Sequence, residues 1–371
     1  MEVKAVMNTF DPTHYVPVIR WKKAEQVALA KLTNDASAHL TPLVELVTEN
    51  LKRTERKAVS TEQVANEISN QLFRYWGERA VFIDLSHLSQ DTVIQGSTHL
   101  LAILGHCAAA TQVSLVPVLR LNGDTQYEKA VLEVLGRHSQ GVCLRLSRED
   151  VDHPRLAEDL TRILSLLEVT HEVVDLLVDF QVIDQSVPSF SALCARIPEI
   201  HKWRNFIVAS GAFPVDLSDL QKNRQHTIER LDWISWSAQA AAVPPAVRLP
   251  IYSDYTIQHP RHQDRTGPLN YSASIRYTAD KYWVIMRGEG VYNEDGPGPA
   301  QWPANALLLC ERPEYCGDKF SYGDEYIRKQ SLQYCQSGNA TTWLRAGINH
   351  HMTFVVRQLA NLLGSSGTPL S

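Results

Sequence analysis

The charged residues of this chain recur at one kind of place. Short apolar runs end on a single ionisable side chain: Tyr15–Arg20, Leu40–Glu45, Ala80–Asp84, Val113–Arg120, Gly141–Arg145, Val173–Asp179 and Arg248–Asp254. One further run, Asn205–Ser210, ends on a serine, and Lys22 and Tyr255 stand just past the first and last run ends. Planar guanidinium forks suit phosphate or carboxylate groups. Carboxylates supply acids and bases, and they could also hold a hard divalent cation through oxygen. Arg20, Lys22, Arg120, Arg145 and Tyr255 are therefore candidate ligand contacts, and Glu45, Asp84, Asp179 and Asp254 candidate catalytic groups. The same arginines and carboxylates could instead neutralise one another as a ring of ion pairs, because buried charge is costly unless paired.

The runs are rich in β-branched residues and apolar on both faces, as strands buried between two layers must be. Helical patterns separate them: 23–32, 61–76, 91–110, 125–139, 153–168, 189–203 and 217–232. Ser60 caps the second of these. Strand and helix alternating through eight runs predict an α/β protein, a (β/α)8 TIM-like barrel. An open doubly wound sheet shares that alternation, but no glycine-rich dinucleotide turn follows the first strand. In such a barrel the strand-ending residues face the loops of one mouth, so the charges are expected to converge there.

The barrel is expected over residues 1–258, with a Lys- and Arg-rich insertion at 49–59. Residues 259–371 form a C-terminal α+β extension packed on the mouth: a hairpin at 272–277 and 282–288, a Pro/Gly loop, and a helix from about 341 to 363. That extension offers Arg276 on the hairpin, Asp324 after a turn, and the adjacent His350 and His351. Adjacent helical residues point about 100° apart, so at most one histidine reaches a shared site; His350 is carried as the catalytic candidate.

Composition narrows the partners. Lys and Arg number 36 against 41 Asp and Glu, a formal charge of −5, with 44% hydrophobic and 21% charged residues. That is globular composition without the basic face that non-specific nucleic-acid binding requires. No apolar run reaches membrane-spanning length and the N-terminus lacks a signal-peptide layout. The six cysteines form no CxxC pair, so reduced thiols in a cytoplasmic protein are expected. A phosphate-loop motif, a zinc-binding HExxH and a nucleophile elbow are all absent. No compact metal motif is present either, and no cofactor is named by the sequence.

Tyr15-Val-Pro-Val-Ile-Arg-Trp-Lys22 with Ala24-Glu25, and Thr41-Pro-Leu-Val-Glu-Leu46, resemble the opening of the beta protein family, which is named for a phage T4 protein. Ile83-Asp84, Asp254-Tyr255, Ile275-Arg-Tyr-Thr278, Tyr322-Gly-Asp324, Trp343 and Asn349-His-His351 extend the resemblance over nearly the whole chain. Ser253 departs from it, where glycine is expected before Asp-Tyr. The resemblance implies a phage, prophage or mobile-element setting that includes antiviral defence, and implies no settled activity. Three functions follow from the residues and the resemblance together. The first is an enzyme with hydrolase-like action on a phosphate-bearing or other anionic substrate, such as a nucleotide. The second is an interaction protein that binds a phage or host factor, and the third a nucleotide sensor without turnover.

Overall fold

A computed structural model describes residues 9–51, 60–89, 94–95, 98–138, 140–262, 271–332 and 337–364. In chain order its strands are β1 (Tyr15–Arg20), β2 (Leu43–Glu45), β3 (Val81–Asp84), the short ribbon β4 (Ile94–Gln95) and β5 (Thr98–His99), β6 (Leu115–Leu119), β7 (Val142–Ser147), β8 (Val174–Val182), β9 (Asn205–Gly211), β10 (Arg224–Glu229), β11 (Ile251–Asp254), β12 (Ile275–Thr278) and β13 (Tyr282–Arg287). The strands β1, β2, β3, β6, β7, β8, β9 and β11 pair in parallel and close into a barrel, with β11 against β1. These are the eight apolar runs of the sequence, so the (β/α)8 architecture stands.

Period-two alternation sorts each strand. Val16, Val18, Leu43, Phe82, Val116, Val118, Cys143, Leu177, Ile207, Ala209 and Ile251 fill the barrel interior, with Tyr255 just beyond β11. Outward residues such as Tyr15, Val44, Ile83, Leu115, Leu144, Leu176, Phe206 and Tyr252 join the larger core beneath the helices. Pro17 and Pro117 also fall on the outward parity. Ser253, which replaces the expected glycine, donates from Oγ to the Val16 carbonyl at 2.6 Å and so stitches β11 to β1.

The helices begin as local chemistry dictates. Ser60 and Gln63 form a capping box before Thr61–Trp76, and Asp124 accepts from Gln126 and Tyr127 N–H at the start of Thr125–Arg137. The helix expected over 217–232 is corrected. Residues 224–229 are β10, a half-exposed strand pairing antiparallel with β13 in a sheet of order β10-β13-β12, and a helix begins only at Leu231. Alternation in Arg-Gln-His-Thr-Ile-Glu, with two β-branched residues, is the strand signal that the helical reading passed over. Of the basic insertion, 52–59 lies outside the described residues, as do Cys335 and 365–371.

The last helix, Ala340–Gly364, packs along the first, Lys23–Ala30, and against β12 and β1. It thus completes the helix layer beside the strand that closes the barrel. The 259–371 extension reaches the mouth through His259, Pro260 and His262, whereas its final helix lies on the barrel's outer wall. No described helix is long and apolar enough to cross a membrane.

Candidate functional site

Six strand-ending charges carry the inward parity: Arg20, Glu45, Asp84, Arg120, Arg145 and Asp179. The centre of their cluster is Arg145, whose side chain is only 2% exposed. Its Nη1 donates to Glu45 Oε1 at 2.9 Å and Asp84 Oδ2 at 2.6 Å. Its Nε and Nη2 donate to Asp179 Oδ2 at 3.1 and 2.7 Å, and Nη2 also donates to the Tyr255 hydroxyl at 2.8 Å. Tyr255 in turn donates to Asp179 at 2.7 Å. All five guanidinium N–H bonds are thereby used.

That arrangement corrects the expectation that Arg145 offers a fork to a ligand. It also changes the cation reading. The guanidinium fills the space between Glu45, Asp84 and Asp179, and among the described residues no group of three or more His, Cys, Asp or Glu side chains stands in position to hold a metal ion. Burial pushes the Glu45 carboxyl upward, but Arg145 and then His87 outweigh it and hold its pKa below the usual value. For Asp84 burial is likewise overcome, by Arg145, Arg120 and the Ser86 N–H, and its pKa falls well below the carboxylate range. The floor of the mouth is a charge-compensated, hydrogen-bonded platform.

Above the platform the contacts thin out. Arg120, at the end of β6, is 33% exposed; its Nη2 reaches Asp84 Oδ2 at 3.4 Å and Ser86 Oγ at 3.1 Å. Its Nε and Nη1 make no hydrogen bond among the described residues. Lys22 pairs with Glu49 at 2.7 Å on the exposed rim. Arg20 is spent on the loop after β11, donating to the His259 and Pro260 carbonyls at 2.7 and 2.8 Å. His87, which sequence reading missed, is 28% exposed with Nε2 3.1 Å from Glu45 Oε2. Its signal was its place three residues past Asp84, in the loop leaving β3, where barrel sites gather.

Asp254, His350 and Arg276 do not join the mouth, which corrects the expected convergence. Asp254 has the outward parity and faces the helix layer. It accepts from the Tyr15 and Tyr252 hydroxyls and from Thr256 N–H, and His351 Nε2 lies 3.0 Å from Oδ2. Burial raises the Asp254 carboxyl, but the His351 imidazole and the hydrogen bonds outweigh it, leaving the pKa lowered. Burial lowers that of His351. His350 turns the other way: Nδ1 lies 2.8 Å from Asp324 Oδ2, Nε2 donates to the Thr278 carbonyl at 2.9 Å, and the ring stacks on Tyr277. Arg276 donates to the Ile257 carbonyl and lies over the Phe213 ring. Asp254, His351, His350, Asp324 and Tyr277 form a polar seam between barrel wall, small sheet and final helix, sealed from solvent, with Arg276 half-buried beside it.

A family model described as Beta protein matches residues 15–357. No curated protein matches the chain.

Proposed function

The chain belongs to the beta protein family, and from that footing we propose a phage-associated protein whose barrel mouth binds an anionic, phosphate-bearing small molecule such as a nucleotide. A part in phage–host conflict, including antiviral defence, belongs to the same proposal and is supported by the family's phage association. The ligand reading rests on the contrast between two arginines. Arg145 is fully engaged, whereas Arg120 is a third exposed, with both N–H bonds of Nη1 free of partners among the described residues and Nε buried without one. A guanidinium held on a rigid acidic platform with donors to spare is a preorganised anion contact. Lys22 adds positive charge on the rim. Hydrolysis of the bound phosphate ester is the catalytic form of this reading.

The platform also favours a second form. Each oxygen of Asp84 and Asp179 already accepts a hydrogen bond, so neither is a free base. A nucleotide sensor, or a module that docks a phage or host protein when liganded, needs no such base. Calorimetric titration with ATP, ADP and pyrophosphate, alongside a phosphate-release assay, separates the forms. Arg120→Ala should weaken binding at least about tenfold while costing only about 1 kcal/mol of stability, because the pair is long at 3.4 Å and Asp84 keeps its 2.6 Å bond to Arg145. Arg145→Ala should cost about 3–5 kcal/mol, because it leaves carboxylates buried without their cation. Failure of every phosphate compound to bind, or equal binding by Arg120→Ala, ends the ligand reading.

A further inference from the structure

We propose that β10 pairs with the β10 of a second copy of this chain, antiparallel about a two-fold axis through Thr227, so that two small sheets fuse into one. The proposal does not depend on the anion reading. Its starting point is the sheet order β10-β13-β12, which leaves β10 at an edge. Along that strand Arg224, Gln225, Thr227 and Glu229 are exposed, and His226 and Ile228 half-buried. The ladder fixes which backbone groups point outward. Arg230 N–H donates to the Lys281 carbonyl, one step past the pair of Glu229 with Tyr282. Hydrogen-bonded positions alternate along an antiparallel strand, so Arg224, His226 and Ile228 also face β13. The N–H and C=O groups of Gln225, Thr227 and Glu229 face away, and none has a backbone partner among the described residues. Such a row of edge groups is a template for another strand.

The side chains select the strand that fits. Pairing about Thr227 sets that residue opposite its own copy, a favourable cross-strand match, and sets Gln225 opposite the copy's Glu229. Arg312 supplies the charge at this place. Its Nη1 donates to Gln225 Oε1 at 2.6 Å, while Nε and Nη2 donate to Glu314 at 3.0 and 2.7 Å. A guanidinium has five N–H bonds, so Nη1 and Nη2 each keep one beyond these contacts. The copy's Glu229 arrives beside Gln225 on the face where Arg312 is held, and the two-fold axis makes the contact twice.

On the other face the copy's Ile228 falls opposite His226. Arg224 falls opposite the copy's Arg230, whose side chain is fully buried and turned inward onto the Ala279 carbonyl, so the two cations do not meet. An in-register parallel strand would instead set Arg224 against Arg224 and Glu229 against Glu229, which like-charge repulsion disfavours. The ribbon is small beside a standard interface of roughly 1,600 Å², which places the association in about the micromolar range.

Sedimentation velocity of the full chain from about 1 to about 200 µM should show a monomer passing into a dimer. Thr227→Pro removes an outward N–H without touching the ladder to β13, so it should melt close to the wild type and stay monomeric. Glu229→Arg and Arg312→Glu should each weaken self-association at least about tenfold, by setting like charges together. A one-to-one mixture of those two variants should associate as the wild type does, because every contact then joins an arginine to a glutamate. A wild type that stays monomeric at every concentration overturns the pairing and leaves the edge to an extended segment of another protein. A dimer that Thr227→Pro leaves intact also overturns it, and a mixture that stays monomeric while the wild type dimerises overturns the register about Thr227.

Discussion

Asp84, Asp179 and Asp254 leave their strands by one device. Each carboxylate accepts from the N–H two residues on, at Ser86, Gln181 and Thr256 respectively. The local turn explains why aspartate closes these runs, and it leaves the second oxygen of each for a tertiary partner. Thr256 shows the tension involved, with a left-handed φ of 58° that a β-branched residue rarely adopts. Close to Asp254 lies Asp232, 1% exposed, whose pKa is pushed up to about 7 by burial and then by the Asp254 charge. A carboxyl raised on folding contributes fully below its ordinary pKa, and that contribution is lost as pH climbs through about 7. Asp232→Asn should therefore gain on the wild type by a few kcal/mol, as an order of magnitude, between about pH 5 and pH 8. Urea denaturation at both pH values measures the gain; a difference that stays constant with pH sinks the assignment.

At the scale of elements, the final helix is seated by small residues and polar stitches. A Cβ added at Gly323 would stand 2.1 Å from the Ala346 carbonyl oxygen, and one at Gly347 2.7 Å from that of Arg276. Asn349 joins the helix to its neighbours, accepting from Gly323 N–H and donating to the Ala28 carbonyl. Thr278 serves both histidines, its hydroxyl against His351 and its carbonyl against His350. The paired histidines thus anchor opposite sides of one helix. Gly323→Ala should cost about 1–3 kcal/mol by overpacking. Gly136→Ala, in the exposed last turn of Thr125–Arg137 where an added Cβ meets nothing within 4 Å, should be neutral or stabilising by up to about 1 kcal/mol. Thermal melts of the two variants provide the check, and equal melting temperatures would contradict this account of the seam.

Over the whole molecule, the region after the barrel strands is woven into them. β10 arises between β9 and β11 yet pairs with β13, and the final helix sets His351 against the outward ring of Tyr15, which is fully buried. A chain ending at residue 258 would expose that apolar wall and leave Asp254 without His351. It should therefore fail to give a monomeric, cooperatively melting species in gel filtration and circular dichroism. A truncated chain that melts as one cooperative unit would show that the barrel stands alone.

Much of this was legible in the amino-acid order. The apolar runs and their period announced eight buried strands, because alternation and β-branching act within a few residues. Strand-end charges were equally visible, and counting parity from Ile251 would have turned Asp254 outward and brought Tyr255 in. The partners of those charges were not legible. Arg145 meets Glu45, Asp84 and Asp179 at separations of 100, 61 and 34 residues, contacts that exist only once the sheet has closed on itself. Closure alone decided that Arg145 is satisfied while Arg120 keeps free donors, and that His87 stands against Glu45. Local propensity reaches along one element; the pairing of buried charges is set by which strands become neighbours.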